Sequence, residues 1–356
     1  CSVVVKGHPG HSETSRLVAG AIMKAIEKCQ MPNSVFQHVD APGFGPESFD
    51  IGKKLVQHPA TAAVGFTGSL SGGKALYEYS HARSIPIPVF AEMGSINPVV
   101  FFPDTLSKNA DSLAKMYSGS ITVGMGQFCT NPGLMIAIES EFLNTFLQKL
   151  GDEVSSFQPA KMLHEGIQKD YAEKLKKALT QKGVDLVTVS KDKSNGSDAD
   201  ASIASVSAET FLKNPFLREE IFGPYSLMVK CKSADELQKV WLSLSGQLTT
   251  SVMGTDEDLM KHKEIINSAQ QLAGRIIFNQ APTGVEVCAS MIHGGPFPAT
   301  TDSRFTSVGT TAAKRWVRPI CFQNCPEFLL PVELKNANPK KIWRTINDRM
   351  ENGDVG

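Results

Sequence analysis

Short apolar runs alternate with amphipathic stretches along the first ninety residues, and that alternation constrains the fold most. It is the pattern of a parallel sheet whose strands are joined by covering helices. Residues 2–6 read as a buried strand, 14–28 as a helix, 49–57 as a second helix after the turn at Pro42, Gly43, Gly45 and Pro46, and 62–66 as a strand. Residues 71–84 and 88–91 continue as helix and strand, which completes a Rossmann-like half-domain. Beyond Asn97 the reading is a second α/β unit. Its predicted helices span 107–123, 139–150, 171–181, 234–244 and 253–273, and its strands 134–138, 225–231 and 274–278.

The bulk numbers set limits. A chain of 356 residues buries a sizeable core and suggests two domains or more. The formal net charge is +0 with 20% charged residues, so no field draws in nucleic acid or an anionic membrane. No apolar run reaches the length of a membrane span. Seven cysteines without paired spacing argue against a disulfide framework and against a metal site, and point to a reducing compartment, hence the cytoplasm. The basic tail, 335–349, reads as a solvated terminal helix, and 191–201 as a low-complexity surface loop. A chain that opens at Cys1, already inside a strand, reads as a fragment.

The segment Gly126-Gln127-Phe128-Cys129-Thr130-Asn131-Pro132-Gly133 sets one thiol among small and polar residues. Upstream, Glu92 ends the apolar run 86–90 and precedes Met93-Gly94-Ser95-Ile96-Asn97-Pro98. A thiolate nucleophile and a carboxylate base are the parts needed to form and then hydrolyse a thioester. A carboxylate in an apolar surround is expected to have a raised pKa. Taken alone, the same residues also read as a half-buried structural cysteine and a surface-paired glutamate. Gly65-Phe66-Thr67-Gly68-Ser69 leads from a strand into a helix start, a geometry that presents N–H groups to a phosphate. Gly68 to Lys74 also fits the front of a P-loop, but Ala75 stands where that motif needs a magnesium-binding hydroxyl.

Together these segments resemble the aldehyde dehydrogenase superfamily. His293-Gly294-Gly295-Pro296-Phe297-Pro298-Ala299-Thr300 narrows the resemblance to the branch of 2,5-dioxovalerate (α-ketoglutarate semialdehyde) dehydrogenases and the NADP-dependent long-chain aldehyde dehydrogenase. It implies an α/β fold with an incomplete cofactor domain at 1–94, a catalytic domain at 95–300 and a C-terminal return with an oligomerisation segment at 301–356. It implies Cys129 as nucleophile and Glu92 as the base for hydrolysis. Lys6, Gly68, Ser69, Glu220 and Phe222 would hold the cofactor, with Lys6 by the adenine ribose and Glu220 and Phe222 by the nicotinamide end. Pro9 stands where many NAD-preferring members carry a glutamate, so NADP is expected over NAD. Asn279 would lie at the bottom of the substrate tunnel, and Phe328-Leu329-Leu330-Pro331 would join subunits of a dimer or tetramer.

The family's members run longer, and the part before Cys1 would be roughly their first third, including an asparagine that helps bind the oxyanion. Losing one such donor costs on the order of a hundredfold or more in rate. The activity implied is oxidation of an aldehyde to a carboxylic acid with NAD(P)+, and the alternative is a catalytically silent chain that keeps the fold. A cysteine hydrolase would pair Cys129 with one of His8, His11, His58, His164 or His293, none of which sits in a recognisable catalytic signature. Phe128 and Phe297 suggest an apolar wall to the substrate site, and Arg218 or Arg304 a receiver for an acid group.

Overall fold

A computed structural model describes residues 1–41, 43, 45–192 and 198–355. Pro42 of the expected turn and 193–197 of the expected loop lie outside them. The described chain divides into a compact unit Cys1–Arg315 and a second, Trp316–Gly356. No described helix is long and apolar enough to cross a membrane.

The first ninety residues form two parallel pairs. Strand β1 (Val3–Lys6) leads through helix α1 (Ser12–Lys28) to its partner β2 (Phe36–Val39). Helix α2 (Pro46–Gln57) then leads to β3 (Val64–Thr67), which crosses through α3 (Leu70–His81) to β4 (Val89–Glu92). The βαβ pattern is as expected, but β1 is not a buried strand. Val3 and Val4 are 49% and 53% exposed, because among the described residues β1 is laddered only to β2.

The core lies in a seven-stranded sheet among the described residues. Its strands are β5 (Val99–Phe101), β6 (Leu134–Ile138), β8 (Val184–Val189), β10 (Ser202–Ser207), β11 (Tyr225–Cys231), β12 (Gln247–Met253) and β13 (Ala273–Phe278), after the short pair β7 (Ala160–Lys161) and β9 (Asp198–Ala199). The order is β13-β12-β5-β6-β11-β10-β8, parallel throughout except for β8. Strands β5, β6 and β11 are buried on both faces, as a parallel sheet covered by helices requires. Helices α4 (Pro103–Thr122) and α5 (Glu141–Ser155) cover one face, where Phe101, Tyr117 and Phe146 pack together. Helices α6 (Glu165–Leu179), α7 (Ala208–Lys213) and α8 (Ala234–Leu242) lie on the other, around Phe211 and Trp241.

The expected helix at 253–273 is divided. Met253 still belongs to β12, and two helices follow, α9 (Asp256–Lys261), opened by a capping box at Thr255 and Asp258, and α10 (Lys263–Leu272). The C-terminal unit also departs from expectation. In place of a helix over 335–349 it holds a hairpin of β14 (Arg344–Ile346) and β15 (Arg349–Glu351). Asn338, Lys341, Asn347 and Asp348 all take positive φ, which no α-helix accommodates. Asn347 and Asp348 form the two-residue turn, whose φ values of 48° and 64° match strand twist.

Candidate active site

The carboxyl ends of β3 and β4 lie side by side, with Thr67 paired to Glu92. Gly68 donates its N–H to the Glu92 carbonyl at 3.0 Å, so the start of the expected phosphate loop is tied to the expected base. Ser69 caps α3 by accepting from the Gly72 N–H at 3.2 Å and meets Ser71 at 3.1 Å. A Cβ at Gly68 or Gly72 would come within 2.7 or 2.9 Å of the Phe66 ring, so glycine lets this turn lie flat on that ring. A helix start with two hydroxyls fits a cofactor phosphate. Lys6 ends β1 and bonds Ser48 Oγ at 2.9 Å, and burial lowers its pKa.

Cys129 lies in the loop that enters β6. Asn97, wholly buried and at φ 45°, donates from Nδ2 to the carbonyls of Cys129 and Asn131, both at 2.9 Å. Asn97 is itself held by Thr249 at 2.9 Å. Gln247 accepts from the N–H groups of Ile96 and Asn97 at 2.8 and 3.2 Å. This buried polar network fixes the 95–97 turn and the cysteine loop as one body. Gly126 shares in it: its φ is +63°, and a Cβ there would sit 2.3 Å from Gly223. Asn131 donates to the Gly223 carbonyl at 3.0 Å, so the segment that carries Phe222 lies against the cysteine loop.

Glu220 packs on the turn after Glu92. One oxygen accepts from the Ser95 N–H at 3.3 Å, and a Cβ at Gly94 would meet the other at 2.7 Å. Burial pushes its carboxyl up to about 7, and the Ser95 bond and the Lys174 charge offset only part of that. A carboxylate left short of partners fits a ligand that brings hydroxyl donors, such as a ribose.

Of the five histidines that a cysteine-hydrolase reading offers the sulfur, the fold brings His293, and with it Glu92. His293 Nε2 lies 3.2 Å from Cys129 Sγ, and His293 Nδ1 lies 3.1 Å from Glu92 Oε2. Glu92 and His293 are both buried, while Cys129 is partly open. One ligand atom from each of the three falls within 4.8 Å of the others. Burial works against a charged imidazole, but the bonds to Cys129 and Glu92 and their charges outweigh it and push His293 up to about 9. Burial likewise pushes Glu92 up. The bonds from His293 and Ser307, the His293 charge and the Arg315 guanidinium outweigh that, and hold its carboxyl below the usual range. The raised pKa expected for Glu92 is therefore corrected: its surround is apolar in sequence but polar in space.

The other expected partners do not reach the sulfur. His8 stacks on His164 at 5.2 Å between ring centroids, His164 caps α6, and His58 accepts from the Ala60 N–H at 3.2 Å. Arg218 donates to the Leu212 carbonyl at 2.7 Å, and Arg304 is paired with Asp302. It is Arg275, on β13, whose charge is coupled to Cys129. Its terminal nitrogens bond the carbonyls of Pro282 and Gly284 at 2.7 and 3.3 Å, and its buried Nε has no partner among the described residues. Phe128 and Phe297 are 39% and 61% exposed, and Asn279 clamps Gly254 through two 2.9 Å bonds.

A thiol, an imidazole and a carboxylate in line can hold an anionic sulfur beside an imidazolium. Comparison with known proteins agrees with the fold and the family resemblance. The aldehyde dehydrogenase family model matches residues 1–296. The chain is 42% identical over 99% of its length to alpha-ketoglutaric semialdehyde dehydrogenase 2 of Azospirillum brasilense, covering 66% of that protein. It is 41% identical over 98% of its length to alpha-ketoglutaric semialdehyde dehydrogenase of Acinetobacter baylyi, covering 65% of it. The chain thus spans about two thirds of the length of these relatives. A solved NAD-dependent aldehyde dehydrogenase from Sinorhizobium meliloti superposes over 89% of this chain and 59% of its own with a TM-score of 0.70 at 21% identity. With a family match over most of its length and relatives above 40% identity, the chain belongs to the aldehyde dehydrogenase family.

Proposed function

We propose that the protein oxidises an aldehyde to a carboxylic acid with NAD(P)+, through a covalent adduct on Cys129. The observation that carries this is the 3.2 Å contact between Cys129 Sγ and His293 Nε2, with Glu92 on the far side of the ring. His293 takes the thiol proton and leaves an anionic sulfur next to a cation. The sulfur adds to the aldehyde carbon, and the new alkoxide faces the backbone N–H of Cys129. When bound, the nicotinamide supplies the acceptor for the hydride that leaves this carbon. What remains on Cys129 is a thioester. Water then attacks the acyl carbon, its proton passes to the Glu92–His293 pair, and the acid departs from the restored sulfur.

Ser69 and the start of α3 would take the pyrophosphate, Lys6 the adenine ribose, and Glu220 and Phe222 the nicotinamide end. Lys6 with Pro9 after it favours NADP, since a cation would meet the 2′-phosphate and no carboxylate would repel it. The names of the two bacterial relatives and the Arg275 charge near Cys129 support a substrate that is the semialdehyde of a dicarboxylic acid. The exposed Phe328 and Leu329, 78% and 62% open, support a contact between subunits.

The test is reduction of NADP+ and NAD+ by the full-length protein supplied with 2,5-dioxovalerate. Turnover that Cys129→Ser abolishes is the expected result. A folded native protein that reduces neither cofactor would refute the reading and leave a silent member of the fold.

A further inference from the structure

Glu92 Oε2 is shared. His293 Nδ1 reaches it at 3.1 Å, and Ser307 Oγ also donates to it. The same hydroxyl lies 3.3 Å from His293 Nδ1 and 3.1 Å from the His293 carbonyl. A serine is the smallest side chain that can accept from the imidazole while donating to the carboxylate. The backbone keeps it there. Ser307 donates its N–H to the His293 carbonyl at 2.7 Å, and His293 donates its own to Thr306 Oγ1 at 2.8 Å. Arg315 holds the Ser307 carbonyl from the other side at 3.2 Å. A loop fourteen residues beyond His293 is therefore laced to the histidine and to the glutamate at once.

We infer that Ser307 is a positioning residue, which pins the Glu92 carboxylate against Nδ1 of His293 and so keeps the imidazole protonated beside Cys129. The inference rests on the proposed pairing of Cys129 with His293. Without the hydroxyl, Glu92 is free to rotate toward Arg315, and the imidazolium loses its counter-charge. The groups that face this centre are Cys129 on one side of the ring, Glu92 on the other, Arg315 toward Glu92 and Arg275 toward Cys129. A pure charge effect has the opposite sign. Deleting a donor to Glu92 without moving it would concentrate negative charge on Oε2 and tighten the proton on His293.

The experiment is an NMR titration of His293 in the full-length protein, its signal assigned by loss in His293→Gln. The native ring should titrate near pH 9. In Ser307→Ala its proton affinity should fall about tenfold, a drop of about one pH unit. Alkylation of the Cys129 peptide by iodoacetamide at neutral pH should slow in parallel. Ser307→Thr should restore both. If the alanine variant does not fold, Ser307→Thr and Ser307→Val, of equal shape, replace it, and only the threonine should keep the native titration. An unchanged or raised His293 titration in a folded alanine or valine variant would overturn the role of Ser307. A native His293 that titrates near 6.5 would instead overturn the underlying pairing with Cys129.

Discussion

The imidazole of His293 touches the sulfur of Cys129 at 3.2 Å across 164 residues of sequence. Neither residue could hold that position alone. Cys129 is fixed by the Asn97 clamp on its carbonyl, and His293 by its backbone bond to Thr306 and by the Glu92 carboxylate. The contact joins the loop that enters β6 to an irregular segment lying against the starts of β12 and β13.

This contact makes stability depend on pH in a stated direction. His293 is raised from 6.5 to about 9 in the fold, so its contribution is fully present below 6.5 and is lost as pH rises toward 9. The loss should be on the order of 3 kcal/mol, since the ring is buried and little screened. Denaturant midpoints measured across that window should fall in the native protein and stay level in His293→Gln. Glu92 acts in the opposite sense, because its carboxyl is held below 4.5, and its share is lost only in acid.

Glu92→Gln should damage two steps unequally. The amide cannot balance an imidazolium, so the first burst of reduced cofactor should slow about tenfold. Deacylation also loses its base, and turnover should fall roughly 10²- to 10⁴-fold. Rapid-mixing absorbance separates the two. A burst that disappears in step with turnover would argue against Glu92 in hydrolysis.

Glu220 should make cofactor affinity rise with pH. Its carboxyl titrates at about 7, and only the ionised form is a strong acceptor for ribose hydroxyls. Calorimetric binding of NADP+ should strengthen roughly tenfold from pH 6 to 8. Glu220→Gln should bind weakly and without that slope.

Arg275→Met should discriminate between substrates. For an aldehyde with a distal carboxylate, KM should rise roughly tenfold to a hundredfold, the worth of a charged hydrogen bond. For an unbranched alkanal of equal length it should change little. Equal losses on both would mean that Arg275 only braces the loop at Pro282 and Gly284.

The strands β6 and β11 were legible because each is an apolar run bounded by proline and glycine, Pro132-Gly133 before one and Gly223-Pro224 before the other. Strand β12 was not, though every residue in it is buried. Its Thr249 and Thr250 bond Asn97 and the Pro98 carbonyl, so polar side chains sit in a core where composition reads as loop. Cys129, Glu92 and the Ser69 turn could be read from local motifs, because each sits in a short segment of distinctive residues. His293 stands only as one of five histidines open to pair with Cys129, and Ser307 is not read at all. Both lie in irregular loops, 201 and 215 residues from Glu92, where no periodicity reports which side chain turns inward. What sets His293 apart from the other four is its place directly before Gly294-Gly295, where the backbone runs close to β12 and β13.

The most direct test of the account is to capture the adduct. The full-length protein, mixed with aldehyde and NADP+, is quenched in acid within one turnover, and its cysteine peptides are weighed by mass spectrometry. The prediction is an acyl group on the Cys129 peptide alone, present only when both aldehyde and cofactor are supplied and longer-lived in Glu92→Gln. Steady production of acid with no acyl group on Cys129, or with the label on another cysteine, would contradict it.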